Sequence, residues 1–466
     1  MLKIPCGLYD NVLQYLKLKC RSFQNKPSYT CIKYLQIKNT KFVFNLDFWL
    51  FWCYNKVIKY IFVRIKVIGM KILKIVASGL PLFSDKCEID FVAQQRVTED
   101  NAEKMGYLFL AKGQSYYQNN VMAYIGINAS GKTTILKLIT FVCELINNVP
   151  VNSIECREIL DGLSENDKVV FDTYFYADNN STYPFTQDGA INWLNTVIVK
   201  ENGKFIVKDE TLKSKPLSKV SSKKALLDFT GCEINLSRDI NSEYLLDDLS
   251  IMVAFNKKNK EELSLTDMLR YTNTNQLSIS KDCPPELIAF FDPSVEYLKV
   301  KQKGQDTDIS LKFKGKPELI LNQFSDLNRY LSSGTIKGIN TFLNAVRVFE
   351  TGGYLIVDEI ENHFNHEIVS TLIRFFMDKK VNPKGAMLIF STHYSELLDE
   401  FERNDNTYIV RNRNGIKAEN LAGLLKRNDI KKSEAYQSGF LEGTVPMYDA
   451  YMSLKKSLIA NSKEDQ

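Results

Sequence analysis

Gly126-Ile-Asn-Ala-Ser-Gly131-Lys132-Thr133-Thr134 follows the apolar run Val121-Met-Ala-Tyr-Ile125 and precedes Ile135, Leu138, Ile139, Val142 and Leu145 at helical spacing. Strand, glycine turn and helix in that order open an α/β nucleotide-binding fold. Glycines let main-chain N–H groups turn inward around phosphate oxygens, Lys132 reaches the β and γ phosphates, and Thr133 offers its hydroxyl to Mg²⁺. The helix beginning at Lys132 adds the positive end of its dipole. Gly126, Asn128, Ser130, Gly131, Lys132, Thr133 and Thr134 are therefore the expected ATP contacts, with Mg²⁺ as the accompanying ion. A chance match in a Gly-Ser turn would lack the flanking strand and helix, and both are present.

Further along, Tyr354-Leu-Ile-Val-Asp358-Glu359 is an apolar strand ending in two carboxylates. A buried strand would deliver Asp358 to the mouth of a sheet, where it can hold Mg²⁺ through water, and would place Glu359 to polarise an attacking water. Many buried strands end in acids, so the pair gains its meaning from the phosphate loop. Leu331-Ser332-Ser333-Gly334-Thr335 precedes a helical stretch, and Thr335 lies 23 positions before Asp358. Small residues at a helix N-terminus let phosphate approach closely. By itself this turn reads better as a helix N-cap with a glycine turn.

His393, in Leu388-Ile-Phe-Ser-Thr-His393, ends the next predicted strand. All three histidines of the chain lie between His363 and His393, in the catalytic half. His363 and His366 suit a polar subunit interface, and no third ligand at plausible spacing makes them a metal site.

These four motifs, in this order, resemble those of ABC-type ATPases. They look like the ABC-like branch of AAA-labelled ATPases, which is related to the SMC, RecF and OLD families. Tyr330-Leu-Ser-Ser-Gly-Thr-Ile-Lys-Gly338, Asp358-Glu-Ile-Glu-Asn-His-Phe-Asn365 and Phe440-Leu-Glu-Gly-Thr-Val-Pro446 are similar to segments of ATP-binding proteins from bacterial abortive-infection (anti-phage) systems. The resemblance covers about 70–451. It implies an ABC-type P-loop ATPase head in which Ser332, Ser333 and Gly334 form a signature that closes over ATP held by another subunit. Glu359 and His393 are then the catalytic base and the γ-phosphate switch. Ser333 stands where transporter-type signatures carry glycine, and Thr335 where they often carry glutamine. Resemblance to ABC-type ATPases also implies a glutamine between the phosphate loop and Ser332 that senses Mg²⁺ and water; Gln187 is a candidate, with no supporting pattern around it.

The resemblance also implies a homodimer or higher even-numbered assembly. In OLD-type relatives a nuclease domain follows the ATPase, but the 73 residues after His393 contain no D-x-D pair. An effector, nuclease or toxin, is thus expected on a separate chain. The alternative is a DNA-repair or DNA-processing ATPase of the SMC/RecF type. Five lysines between Lys213 and Lys224, with no acid among them, are its local basis. Coiled-coil heptads for a long arm are absent.

Charge divides the chain unevenly. The first 69 of 466 residues hold twelve Lys or Arg and two acids, so the remainder carries 48 basic and 53 acidic residues and is mildly acidic. The apolar stretch from Phe42 to Val76 is interrupted by Asp47, Lys56, Lys59, Arg64, Lys66, Lys71 and Lys74, which rules out a clean membrane span there. The first residues lack the basic start, apolar run and small-residue cleavage site of a secretory signal, so none is expected. Residues 1–69 read as a dispensable basic extension of uncertain status, with the start expected at Met70; a basic arm for membrane surfaces or nucleic acid is the other reading. Nine scattered cysteines without a C-x-x-C pair suit a reducing, cytoplasmic setting.

The expected organisation is 70–149 for the first ATPase half, with strands at Ile72 to Ala77 and Glu88 to Ala93. An inserted mixed α/β lobe follows at 150–317, with Leu245 to Leu269 largely helical. The second ATPase half spans 318–425, and a helical tail 426–466.

Overall fold

The computed structural model describes residues 69–464, apart from 166, 179–188, 239–244, 261, 273–276, 278, 280–281, 304–305, 363, 428–429, 442 and 445–447. The basic extension through residue 68, Gln187 and His363 lie outside the described residues. So does part of the 440–446 segment.

Two six-stranded sheets build the head. In the first, β1 (Lys71–Ser78) lies between β2 (Cys87–Asp90) and β6 (Lys168–Ala177), and β7 (Ala190–Glu201), β8 (Lys204–Pro216) and β9 (Ile234–Ser237) follow, all antiparallel. A separate hairpin, β3 (Gly106–Ala111) with β4 (Gln114–Gln118), precedes β5 (Val121–Ile125). The second sheet has the order β10 (Leu265–Asp267), β14 (Tyr354–Val357), β15 (Met387–Thr392), β5, β16 (Thr407–Asn412), β17 (Ile416–Asn420). Its first five strands are parallel, and β17 returns antiparallel to β16.

Parallel strands need covered faces, and here alternation along each strand feeds two cores. Met122, Tyr124, Tyr354, Ile356, Met387 and Ile389 face one core with the antiparallel sheet and helix α1 (Lys132–Ile146). Val121, Ala123, Ile125, Leu355, Val357, Leu388 and Phe390 face the other. That second core is closed by α2 (Ser333–Thr351) and α3 (His366–Met377). Helix α1 is buried almost all round because it lies between the sheets, with Phe141 against Phe171 of β6.

The stretch expected as one inserted lobe, 150–317, divides between three places. Strands β6 to β9 complete the sheet begun by β1, and β10 pairs in parallel with β14. Only β11 (Val295–Lys303), β12 (Asp306–Phe313) and β13 (Glu318–Leu321) form a sheet of their own, over a third core. The boundaries at 150 and 317 therefore do not fall between layers. Nor is Leu245 to Leu269 largely helical: a helix spans Met252–Asn259, and β10 follows because Tyr354 to Ile356 offers it a ladder. In the tail, the helix Lys432–Gln437 buries Tyr436 in the second core, and a further helix spans Tyr448–Glu464. Among the described residues no helix is long and apolar enough to cross a membrane.

Candidate nucleotide site

Strands β5, β14 and β15 are neighbours, so their C-terminal ends bring the phosphate loop, Asp358-Glu359 and His393 to one edge of the sheet. Gly131 caps α1 with φ +98°, and no side chain caps the helix, which leaves its first-turn N–H groups without a side-chain partner. A Cβ on Gly131 would stand 2.6 Å from Ile416 Cγ1, and one on Gly126 would stand 2.4 Å from the Val410 carbonyl oxygen. Glycine is required at both positions by close approach, and at Gly131 by its left-handed backbone as well.

Lys132 Nζ donates to the carbonyls of Gly126 (3.0 Å) and Ile127 (3.2 Å) and lies 3.4 Å from His393 Nδ1. Burial lowers its pKa, against the raising pull of Asp358, Glu361 and Glu359. Thr133 Oγ1 donates to Asp358 Oδ2 at 2.8 Å. His393 Nε2 lies 3.9 Å from Glu359 Oε1, and both side chains are part-exposed. Its main-chain N–H donates to Glu361 Oε1 at 2.6 Å.

A cavity of about 720 Å³ is lined by Asn128, Ser130, Gly131, Lys132, Thr133, Thr134, Glu359 and His393, with Pro81, Leu82, Asn412, Gly415 and Ile416 completing the wall. Ser332, Ser333 and Gly334 are not among its lining residues. Ser332 instead caps α2, its Oγ accepting the Thr335 N–H at 3.0 Å, and is exposed. The cap reading of that turn is thus realised in the single chain.

Sequence reasoning missed several residues of the site. Pro81, Leu82, Asn412, Gly415 and Ile416 come from two turns distant in sequence and carry no motif. Glu361 sits inside a quoted segment without an assigned role. Ser391 is buried on β15, accepting the Glu359 N–H at 2.7 Å and donating to Asp358 Oδ1.

The residues fit a nucleotide and its ion. Ser130 Oγ is buried inside the loop with no hydrogen-bond partner, which a phosphate oxygen would supply. Thr133 and Asp358 present adjacent oxygens, the donor type Mg²⁺ takes. Leu82 and Ile416 give the cavity an apolar wall suited to a base.

A parallel-stranded sheet whose phosphate loop, acid pair and histidine converge at one edge defines an α/β P-loop ATPase fold. Residues 121–399, more than half of the chain, match the family "AAA domain, putative AbiEii toxin, Type IV TA system". The chain belongs to that family. The SMC head domain from Thermotoga maritima is similar in structure over 75% of this chain and 98% of that chain, at 13% sequence identity and a TM-score of 0.31. No curated protein matches.

Proposed function

We propose that the chain hydrolyses ATP in a pocket that a second copy completes. One observation carries this reading. The cavity collects the phosphate loop, Glu359 and His393 on one side, whereas the Ser332–Gly334 turn, with Ser332 exposed and the next two residues half-buried, contributes nothing to it. In a head-to-tail pair each turn would close over the cavity of the other copy, giving two sites about a twofold axis.

Within each pocket the α1 N-terminus and Lys132 bind the β and γ phosphates, and Ser130 donates its unpartnered hydroxyl to them. Thr133 and Asp358 hold Mg²⁺, which when bound neutralises charge on the phosphate oxygens. Glu359 accepts the proton of a water whose oxygen attacks the γ phosphorus as the bond to ADP breaks. His393 hydrogen-bonds the γ phosphate, and the two copies part once it is gone.

Mixing variants tests the composite site. Lys132→Ala and Ser332→Arg should each abolish turnover alone. Mixed, they should recover roughly a quarter of wild-type activity, because half the dimers keep one site free of both changes. Inactivity of the mixture, or full activity of Ser332→Arg alone, would end the proposal.

We further infer that the ATPase acts as sensor or scaffold of an anti-phage system, holding a separate effector. The family description and the resembling segments support this. The DNA-processing alternative loses part of its local basis, because its lysine run is largely engaged within the protein. Lys213 sits over the Trp193 ring, Lys215 binds the carbonyls of Ala225 and Asp228, and Lys223 binds those of Ala93, Gln94 and Gln95. ATPase rates with and without duplex DNA discriminate the two settings: strong stimulation would favour DNA processing.

A further inference from the structure

Asp358 and Glu359 must hold their carboxylates in fixed relation, yet they sit where the strand has just ended. Glu359 adopts φ +45°, a left-handed conformation that side chains other than glycine rarely enter. Nothing in its own sequence favours that choice, so a neighbour has to enforce it.

Ser391, the fifth residue of β15, occupies the place where such a neighbour would act. Its side chain is fully buried. Its Oγ accepts the Glu359 N–H at 2.7 Å and donates its proton to Asp358 Oδ1 at 2.5 Å. The carboxylate can only accept, so the direction of the second bond is fixed. A hydroxyl is the small group that both accepts and donates from one atom. With Oδ1 taken by Ser391, Asp358 turns Oδ2 toward Thr133 Oγ1. One side chain therefore sets the rotation of the ion-binding carboxylate and the backbone conformation of the base.

We propose that Ser391 is a positioning residue for the ATPase reaction, holding Asp358 and Glu359 in the geometry that Mg²⁺ and the attacking water require. The assignment rests on the hydrolytic reading above. It adds a strand-to-strand requirement that neither the phosphate loop nor the acid pair contains: the residue two positions before His393 must carry a hydroxyl. The neighbouring hydroxyl of Thr392 is engaged elsewhere, its Oγ1 accepting the Tyr394 N–H.

The full chain tests it through ATPase rates measured against both ATP and Mg²⁺, with fluorescent-ATP binding in parallel. Ser391→Ala should lower kcat by at least about tenfold, the size expected when a hydrogen bond to a charged group is removed. The half-saturating Mg²⁺ concentration should rise several-fold, whereas ATP affinity without Mg²⁺ should stay within about twofold, since Lys132 and the helix N-terminus are untouched. Ser391→Thr should keep most of kcat, and Ser391→Cys, nearly the same size but a weak donor, should not. A purely structural role would lower thermal stability without separating kcat and Mg²⁺ dependence from ATP binding.

The assignment is overturned if Ser391→Ala or Ser391→Cys retains kcat and Mg²⁺ dependence within twofold of wild type. Should Ser391→Ala fail to fold, Ser391→Cys decides alone. Wild-type protein that does not hydrolyse ATP would remove the parent reading, an outcome the same assay separates from the first.

Discussion

Lys132 shows how little a single side chain achieves without its surroundings. Its ammonium is held by two carbonyls of its own loop, and burial depresses its pKa while three carboxylates oppose the shift. Lys132→Ala should lose nucleotide binding, checked by fluorescent-ATP titration. Glu359→Gln should still bind ATP but turn over at least about 10²-fold more slowly, as for loss of a positioned base, and single-turnover rates would show it. Gly131→Ala probes the turn itself. Its left-handed backbone and the 2.6 Å approach to Ile416 leave no room for a Cβ. A strain of about 1–2 kcal/mol corresponds to a loss of ATP affinity of roughly 5- to 30-fold. These residues were legible because phosphate chemistry demands particular types at fixed spacing. Ser391 and Glu361 were not, since a serine or glutamate near a strand end has many uses and only the adjacent strand gives it one.

Among the elements, α2 shows the same division. Its N-cap, its amphipathic face and the glycine that ends it at φ +73° are all local signals. That its early turns, Ile336 and Ile339, pack on the small three-stranded sheet while Phe342 and Val348 enter the second core is not. Helix α2 thus joins the exposed Ser332 turn to two cores. Strand β8 carries another device invisible in sequence. Glu210 is fully buried, accepting from Thr196 Oγ1 (2.6 Å), Ser250 Oγ (2.8 Å) and the Ile251 N–H (2.6 Å), so it fastens the 250–251 turn to the antiparallel sheet. Burial raises its pKa, while those three donors and Arg238 oppose the rise. Glu210→Ala strands three donors and should cost roughly 2–5 kcal/mol, read from denaturant unfolding.

Across the whole molecule, the two large sheets are joined by polar contacts as well as by the core between them. The Ile72 and Asp90 N–H groups donate to the hydroxyls of Tyr354 and Tyr408, each at 2.8 Å. Lys71, wholly buried on β1, donates to the carbonyls of Gly352 and Gly385 at the entries to β14 and β15. Burial lowers its pKa to about 7 from 10.5. The unfolded chain therefore binds more protons than the folded one between those values, and stability rises with pH across that window. Below about pH 7 both states are protonated and this contribution is flat. Its slope is at most about 1.4 kcal/mol per pH unit. Thermal melts from pH 7 to pH 9.5 should show a rise in wild type that is absent from Lys71→Met.

The phosphate loop, the acid pair, the histidine and the strands and helices that bear them are written locally in the chain, because each depends on contacts a few residues long. Which distant strands meet is a tertiary outcome: 168–237 completes the sheet begun at Lys71, β10 pairs with β14, and Ser391 joins the Asp358 carboxylate to the Glu359 main-chain N–H. Those outcomes depend on which distant strands become neighbours, and hydrogen-bond ladders form equally well with any compatible edge, so no local pattern records the choice.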